Sequence, residues 1–216
     1  MEERVKGDVL DRGDDGVLRC WWSGSTDLYR SYHDDEWGRP VTDDQALFEK
    51  LCLEGFQAGL SWLTILRKRD NFRAAFDEFD FHRIAEYDDV QVERLVADAG
   101  IVRHRGKIES TINNAKRARD WVGSGDSLRD LIWKYQPVAS SRPSDVSRDW
   151  LSSFTTSAES TALSKELKRL GWTFVGPTTM YALMQAMGLV NDHQSQCHVR
   201  RDVERARKQR PGQRSG

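Results

Sequence analysis

Apolar residues recur at helical spacing along most of the chain. Ala46, Leu47, Leu51 and Cys52 share one face of a run that Asp43 can cap, which predicts a helix over residues 44–52. Further helices are predicted over 61–69, 71–79, 107–122, 127–135, 160–170 and 178–187. Another starts at Asp88, turns Val92, Leu95 and Val96 inward, and stops at Gly100. No run alternates apolar and polar residues, so little sheet is expected and the fold class is all-α. Residues 1–18 mix Glu2, Glu3 and four aspartates with glycines and no apolar period, and read as a flexible leader. Residues 19–198 read as one helical domain, in two lobes if the Pro- and Ser-bearing stretch 136–148 marks a boundary. Residues 199–216, rich in arginine, read as a basic disordered tail.

One position breaks the apolar pattern. Glu54 arrives where a core-facing residue is due, and burying a carboxylate without a partner costs several kcal/mol or forces it to take up a proton. It therefore pairs, serves a ligand, or turns away to solvent beside a glycine-loosened junction. Gly55 and Gly59 remove side chains where a backbone would approach something closely, and Trp62 adds a large flat face. Four of the eight tryptophans, Trp21, Trp22, Trp37 and Trp62, crowd among polar residues in the first third of the chain, which points to a stacking surface as well as to core packing.

Composition narrows the class. With 38% hydrophobic and 31% charged residues, the chain reads as soluble and cytoplasmic, with no apolar run near the ~20 residues that span a membrane and no signal-peptide pattern at Met1-Glu2-Glu3-Arg4. A net charge of -1 gives no bulk attraction to nucleic acid, so any such contact must be local. Arg67-Lys68-Arg69 and the group Arg103, His104, Arg105 and Lys107 are local candidates, and equally plain solvated faces.

The odd count of three cysteines argues against a disulfide framework. His193 and Cys197 stand four apart, on one face if helical, and Cys20 and His33 near the other end supply the same two ligand types. A Cys2His2 set suits tetrahedral zinc, leaves no open position for water, and would staple rather than catalyse; chance occurrence of the four residues is the alternative.

The chain resembles the Tag-type 3-methyladenine DNA glycosylase I family, a divergent branch of the helix-hairpin-helix glycosylases. The resemblance rests on Leu28-Tyr29-Arg30-Ser31-Tyr32-His33-Asp34-Asp35-Glu36-Trp37-Gly38, the stretch 52–62, residues 98–108, Phe174-Val175-Gly176-Pro177-Thr178-Thr179 and Gly188-Leu189-Val190-Asn191-Asp192-His193. It implies a helix-hairpin-helix glycosylase fold in which zinc, held by Cys20, His33, His193 and Cys197, joins the N- and C-terminal segments. It also implies an enzyme that flips 3-methyladenine out of double-stranded DNA and hydrolyses its N-glycosidic bond, leaving an abasic site.

Within that resemblance, Glu54 and Tyr32 hydrogen-bond the base edge, Trp62 is the stacking plate, and Trp22, Tyr29 and Trp37 complete the aromatic wall. The segment from Gln57 through Gly59 to Leu60 would fill the gap in the duplex, with Phe56, where the family often carries glutamine, as an apolar wedge. Gly176 and the helix start at Thr178 would meet a phosphate. Asp192 is left to support the zinc from behind, and the hairpin has no lysine nucleophile, so a monofunctional, monomeric glycosylase without lyase activity is expected. Two rivals remain: a zinc-stapled DNA-binding module without chemistry, and a zinc hydrolase with only three protein ligands.

Overall fold

Side-chain caps set most of the helix starts in the computed structural model, which describes residues 10 to 210. The hydroxyl of Thr26 accepts from Tyr29 N and opens α1 (Asp27–Ser31), which runs directly into a π-helical turn, Tyr32–Glu36. Asp43 caps α2 (Asp44–Gln57) and Ser61 caps α3 (Trp62–Ala75). After α4 (Phe81–Ile84), a reciprocal capping box between Asp88 and Gln91 opens α5 (Asp89–Ala97). The chain continues as α6 (Arg105–Gly123), α7 (Leu128–Trp133), α8 (Arg148–Ser153), α9 (Ala158–Arg169), α10 (Pro177–Ala186) and α11 (Arg200–Lys208). Among the described residues the one sheet pairs two-residue strands, β1 (Asp11–Arg12) and β2 (Leu18–Arg19), antiparallel. No described helix is long and apolar enough to cross a membrane.

The core is built around α2, which packs against α3, α6, α7 and α10. From Leu47 to Phe56 every residue of this helix except Glu49 is buried. Lys50 and Glu54, one turn apart on this stretch and both buried, satisfy each other. At the end of α10, Gly188 has φ +78, and a Cβ there would stand 2.6 Å from Pro40 N and 2.7 Å from Gly38 O. Only glycine lets this turn close on the loop that follows Trp37.

Several expectations are corrected. Residues 71–79 do not form a separate helix: α3 runs through Asn71 because Ile65, Leu66 and Phe72 continue one buried face. The part of the leader from Leu10 to Leu18 is structured, since buried Arg19 ties it down through Asp15 and Asp34, both at 2.9 Å. Residues 1–9 lie outside the described residues. The basic tail is helical from Arg200 to Lys208, seated by fully buried Val203 and by Arg207 donating to the carbonyls of Gly188 and Leu189. The rest of that tail, from 211 to 216, lies outside the described residues. Phe56 is not a wedge; it is 1% exposed and packs on Phe72 with ring centroids 4.6 Å apart.

Candidate active site and metal centre

The π-helical turn widens the backbone where Tyr32 and His33 meet, and both side chains become buried although adjacent in sequence. Tyr32 points to a cavity of about 220 Å³ lined also by Trp21, Trp22, Tyr29, Trp37, Glu54, Gln57 and Trp62. Trp22 lies 5.0 Å from both Tyr29 and Trp37, and Tyr32 lies 5.3 Å from Trp62, so the rings form a connected wall. All six residues expected at the base-contacting face, Glu54, Tyr32, Trp62, Trp22, Tyr29 and Trp37, meet in this one cavity. Burial is the first cause that raises the Tyr32 phenol well above its ordinary pKa, with the Glu54 charge second, so it remains a neutral hydroxyl.

Glu54 faces the cavity with a partner already in place. Its Oε1 stands 2.7 Å from Lys50 Nζ, which also donates to Tyr32 Oη at 3.1 Å and sits 3.1 Å from the centroid of a Trp62 ring. Lys50 is absent from the sequence-based expectations; the signal was its place four residues before Glu54, the helical spacing of an ion pair. Burial lowers its pKa, and Glu54 opposes the shift.

Three further cavity residues come from distant segments, Leu151 of α8 and Ala182 and Gln185 of α10. Asp192, buried, holds Gln185: its Oδ2 accepts from Gln185 Nε2 at 2.9 Å and from Tyr181 Oη at 2.7 Å, and its Oδ1 pairs with Arg142. Asp192 thus braces the cavity wall.

Cys20, His33, His193 and Cys197 are all buried, with donor atoms within 4.8 Å of one another. The separations are 3.2 Å between the histidine nitrogens and 3.4, 3.6 and 3.7 Å for three sulfur–nitrogen pairs. Tetrahedral zinc with ordinary bond lengths has donor–donor edges of about 3.3 to 3.8 Å, so the set fits that ion. The outer ring nitrogens are engaged, His33 Nδ1 with Asp34 at 2.7 Å and His193 Nε2 with Trp37 O at 2.9 Å, which turns His33 Nε2 and His193 Nδ1 to the centre. A hydrogen bond from Cys20 is the first cause that lowers the Cys197 thiol, and burial raises Cys20. His193 and Cys197 meet through a turn, not a helix.

The expected DNA-facing residues divide. Gln57 borders the cavity, and Gly59, with φ +82, and Leu60, 42% exposed, form a tight turn beside it. Gly176 precedes α10 without a side-chain cap, and Thr178 is exposed in its first turn. Lys107, by contrast, is buried and donates to the carbonyls of Phe56 and Ala58 at 2.8 and 2.6 Å, closing the end of α2. Lys68 bonds the carbonyls of Ala99 and Gly100, and Arg69 pairs with Glu36. Arg67 and Arg103 stay exposed.

A helical protein with an aromatic, acid-bearing cavity and a separate Cys2His2 cluster is the class defined by this fold and site. The family model described as methyladenine glycosylase matches residues 22–201. DNA-3-methyladenine glycosylase 1 of Escherichia coli (strain K12) is 48% identical over 180 residues, covering 83% of this chain and 95% of the relative. DNA-3-methyladenine glycosylase of Haemophilus influenzae is 44% identical over 184 residues, covering 84% and 97%. A crystal structure of 3-methyladenine DNA glycosylase I superposes with a TM-score of 0.77 at 46% identity, covering 83% of this chain and 98% of the other. The Staphylococcus aureus enzyme, solved to explain 3-methyladenine recognition, has a TM-score of 0.71 at 33% identity and coverage of 82% and 93%. The chain belongs to the methyladenine glycosylase family, in its Tag-type branch, and is a DNA glycosylase, a hydrolase of N-glycosyl bonds.

Proposed function

We propose that the protein flips 3-methyladenine out of double-stranded DNA and hydrolyses its bond to the sugar, leaving an abasic site, as a cytoplasmic monomer without lyase activity. The observation that carries this reading is the aromatic cavity floored by Glu54. Methylation at N3 makes adenine a cation and a good leaving group, so little acid–base work is needed. Electron-rich faces at Trp22, Tyr29, Trp37 and Trp62 attract the charged ring by about 0.5 to 2 kcal/mol each, and Glu54 with Tyr32 reads its edge. A neutral adenine lacks that attraction and does not recover the stacking lost on flipping. Selectivity is differential binding.

The helix-hairpin-helix element is α9, the turn at 170–176, and α10, whose uncapped first amides at Thr178 meet a phosphate. Gln57, Gly59 and Leu60 fill the vacated place in the duplex. The turn at 170–176 carries no lysine, and Lys50 lines the cavity behind Tyr32 and Trp62 and not the base cavity itself, which supports a monofunctional reaction. Cys20, His33, His193 and Cys197 would hold zinc, which supplies a structural crosslink and takes no part in bond cleavage.

The test is the product spectrum from methylated duplex DNA. Free 3-methyladenine is expected in large excess over 7-methylguanine and normal bases. Comparable release of 7-methylguanine would remove the edge-reading role of Glu54 and Tyr32. Gln185→Leu is expected to slow single-turnover release about 2- to 12-fold, the worth of one neutral hydrogen bond, and to lower the melting temperature by several degrees through the donor lost to Asp192. A parental rate would take Gln185 out of the site.

A further inference from the structure

We infer, on the reading of the cavity as a cationic-base site, that Lys50 is its charge-compensating residue, releasing a proton as the charged base enters so that the base replaces it as counter-ion of Glu54. Lys50 stands behind the wall on which the base stacks. Trp62 and Tyr32 border both the base cavity and a second cavity of about 270 Å³, and Lys50 lines the second. Its ammonium, 3.1 Å from the Trp62 ring centroid and 2.7 Å from Glu54, occupies both attractions that a cationic base would use.

The other charges around Lys50 are engaged, four in ion pairs and two by neutral groups. Glu49 of α2 pairs with Arg73 of α3 at 2.8 Å, and Glu36 of the π-helical turn pairs with Arg69 of α3 at 2.5 Å. Arg39 donates to Asp34 O at 2.7 Å, and Asp35 accepts from Ser31 at 3.1 Å. Glu54 is left as the one acid in direct contact with the Lys50 ammonium among the described residues. Two cations against one carboxylate in a buried space repel, whereas one cation and one carboxylate cancel.

The step is a simple proton loss. One N–H bond of the Lys50 ammonium breaks heterolytically, the proton leaves to water through the second cavity, and the electron pair stays on Nζ. Tyr32, still a phenol, can then donate to that lone pair, reversing the present Lys50-to-Tyr32 bond. Burial already lowers the pKa of Lys50, and an arriving cation pushes it in the same direction. A neutral adenine brings no charge to displace the proton and finds Glu54 occupied.

Because the bound state carries one proton fewer, binding strengthens as pH rises. For the full chain acting on methylated duplex DNA, kcat/KM for 3-methyladenine release should rise about tenfold per pH unit and level off above the pKa of Lys50 in the free enzyme. Lys50→Arg preserves the ion pair but cannot shed its charge, and is expected to flatten that rise at a low rate. Calorimetry on the native protein, in two buffers of different ionisation heat across about pH 6 to 9, avoids any folding defect of the variant. The N3,N9-dimethyl adenine cation should release about one proton on binding toward the acid end, and neutral adenine none. Zero release with the cation at every pH, or a native profile in Lys50→Arg, overturns the role of Lys50. Absence of base release from methylated DNA at any pH overturns the functional reading as well.

Discussion

On the proposed assignment of zinc to the Cys2His2 cluster, treating the purified protein with a strong chelator is expected to unfold it. The four donors join β2 and the π-helical turn to the segment before α11, and all four residues are buried in the metal centre. Structural zinc contributes an apparent 10 to 16 kcal/mol in small domains, about the whole stability of an ordinary fold, and closing so long a loop adds to the cost of losing it. Without an ion, two cysteine sulfurs and two imidazoles crowd at 3.2 to 3.7 Å in a buried site. Cys197→Ser should lower the melting temperature by about 4 to 12 °C if it costs 2 to 3 kcal/mol, since a chain of this size shifts about 2 to 4 °C per kcal/mol. Folded enzyme that survives should release base at near the parental rate, since the ligands do not line the base cavity. Melting curves recorded with and without chelator decide the matter; coincident curves would refute a structural metal.

Glu54→Gln is expected to cut base release about 10- to 150-fold, the loss of a hydrogen bond to a charged group worth about 1.5 to 3 kcal/mol. The amide keeps the shape and removes the counter-charge, so the cationic base and Lys50 both lose their partner. Breaking a buried ion pair from one side costs about 3 to 5 kcal/mol if the remaining charge stays. Lys50 limits that loss by shedding its proton, since Glu54, the group that raises its pKa, is gone. The sign follows: a lysine with a depressed folded pKa binds fewer protons folded than unfolded, so the variant loses stability as pH falls. Thermal melts over a pH series should show the variant diverging from the parent on the acid side. Release of 3-methyladenine at the parental rate would take Glu54 out of the site.

Much of this site was legible before any coordinates. Glu54 stood out because helical periodicity is a local rule, and a carboxylate at an inward position conflicts with it visibly. The caps at Asp43 and Asp88 were equally local, since each side chain reaches backbone only two or three residues away. Lys50 was missed because a lysine on a helix ordinarily reads as solvated, and only the burial of its stretch of α2 makes it a partner. Lys107 sat in a basic run that suggested DNA, yet it faces the carbonyls of Phe56 and Ala58. The tail misled for a similar reason: the run of arginines hid Val203 and the two carbonyls that Arg207 reaches.

The chain by itself determined where helices begin and turn inward, which residues could bind a metal, and that one acid would be costly to bury. Those properties depend on neighbours within a turn or two. Only the tertiary structure decided that Lys50 meets Glu54 beneath Trp62, that Leu151 and Gln185 complete the cavity, and that the last basic segment is a seated helix. The reason is that burial of a charge is decided by the segments packed over it, and these come from more distant parts of the sequence.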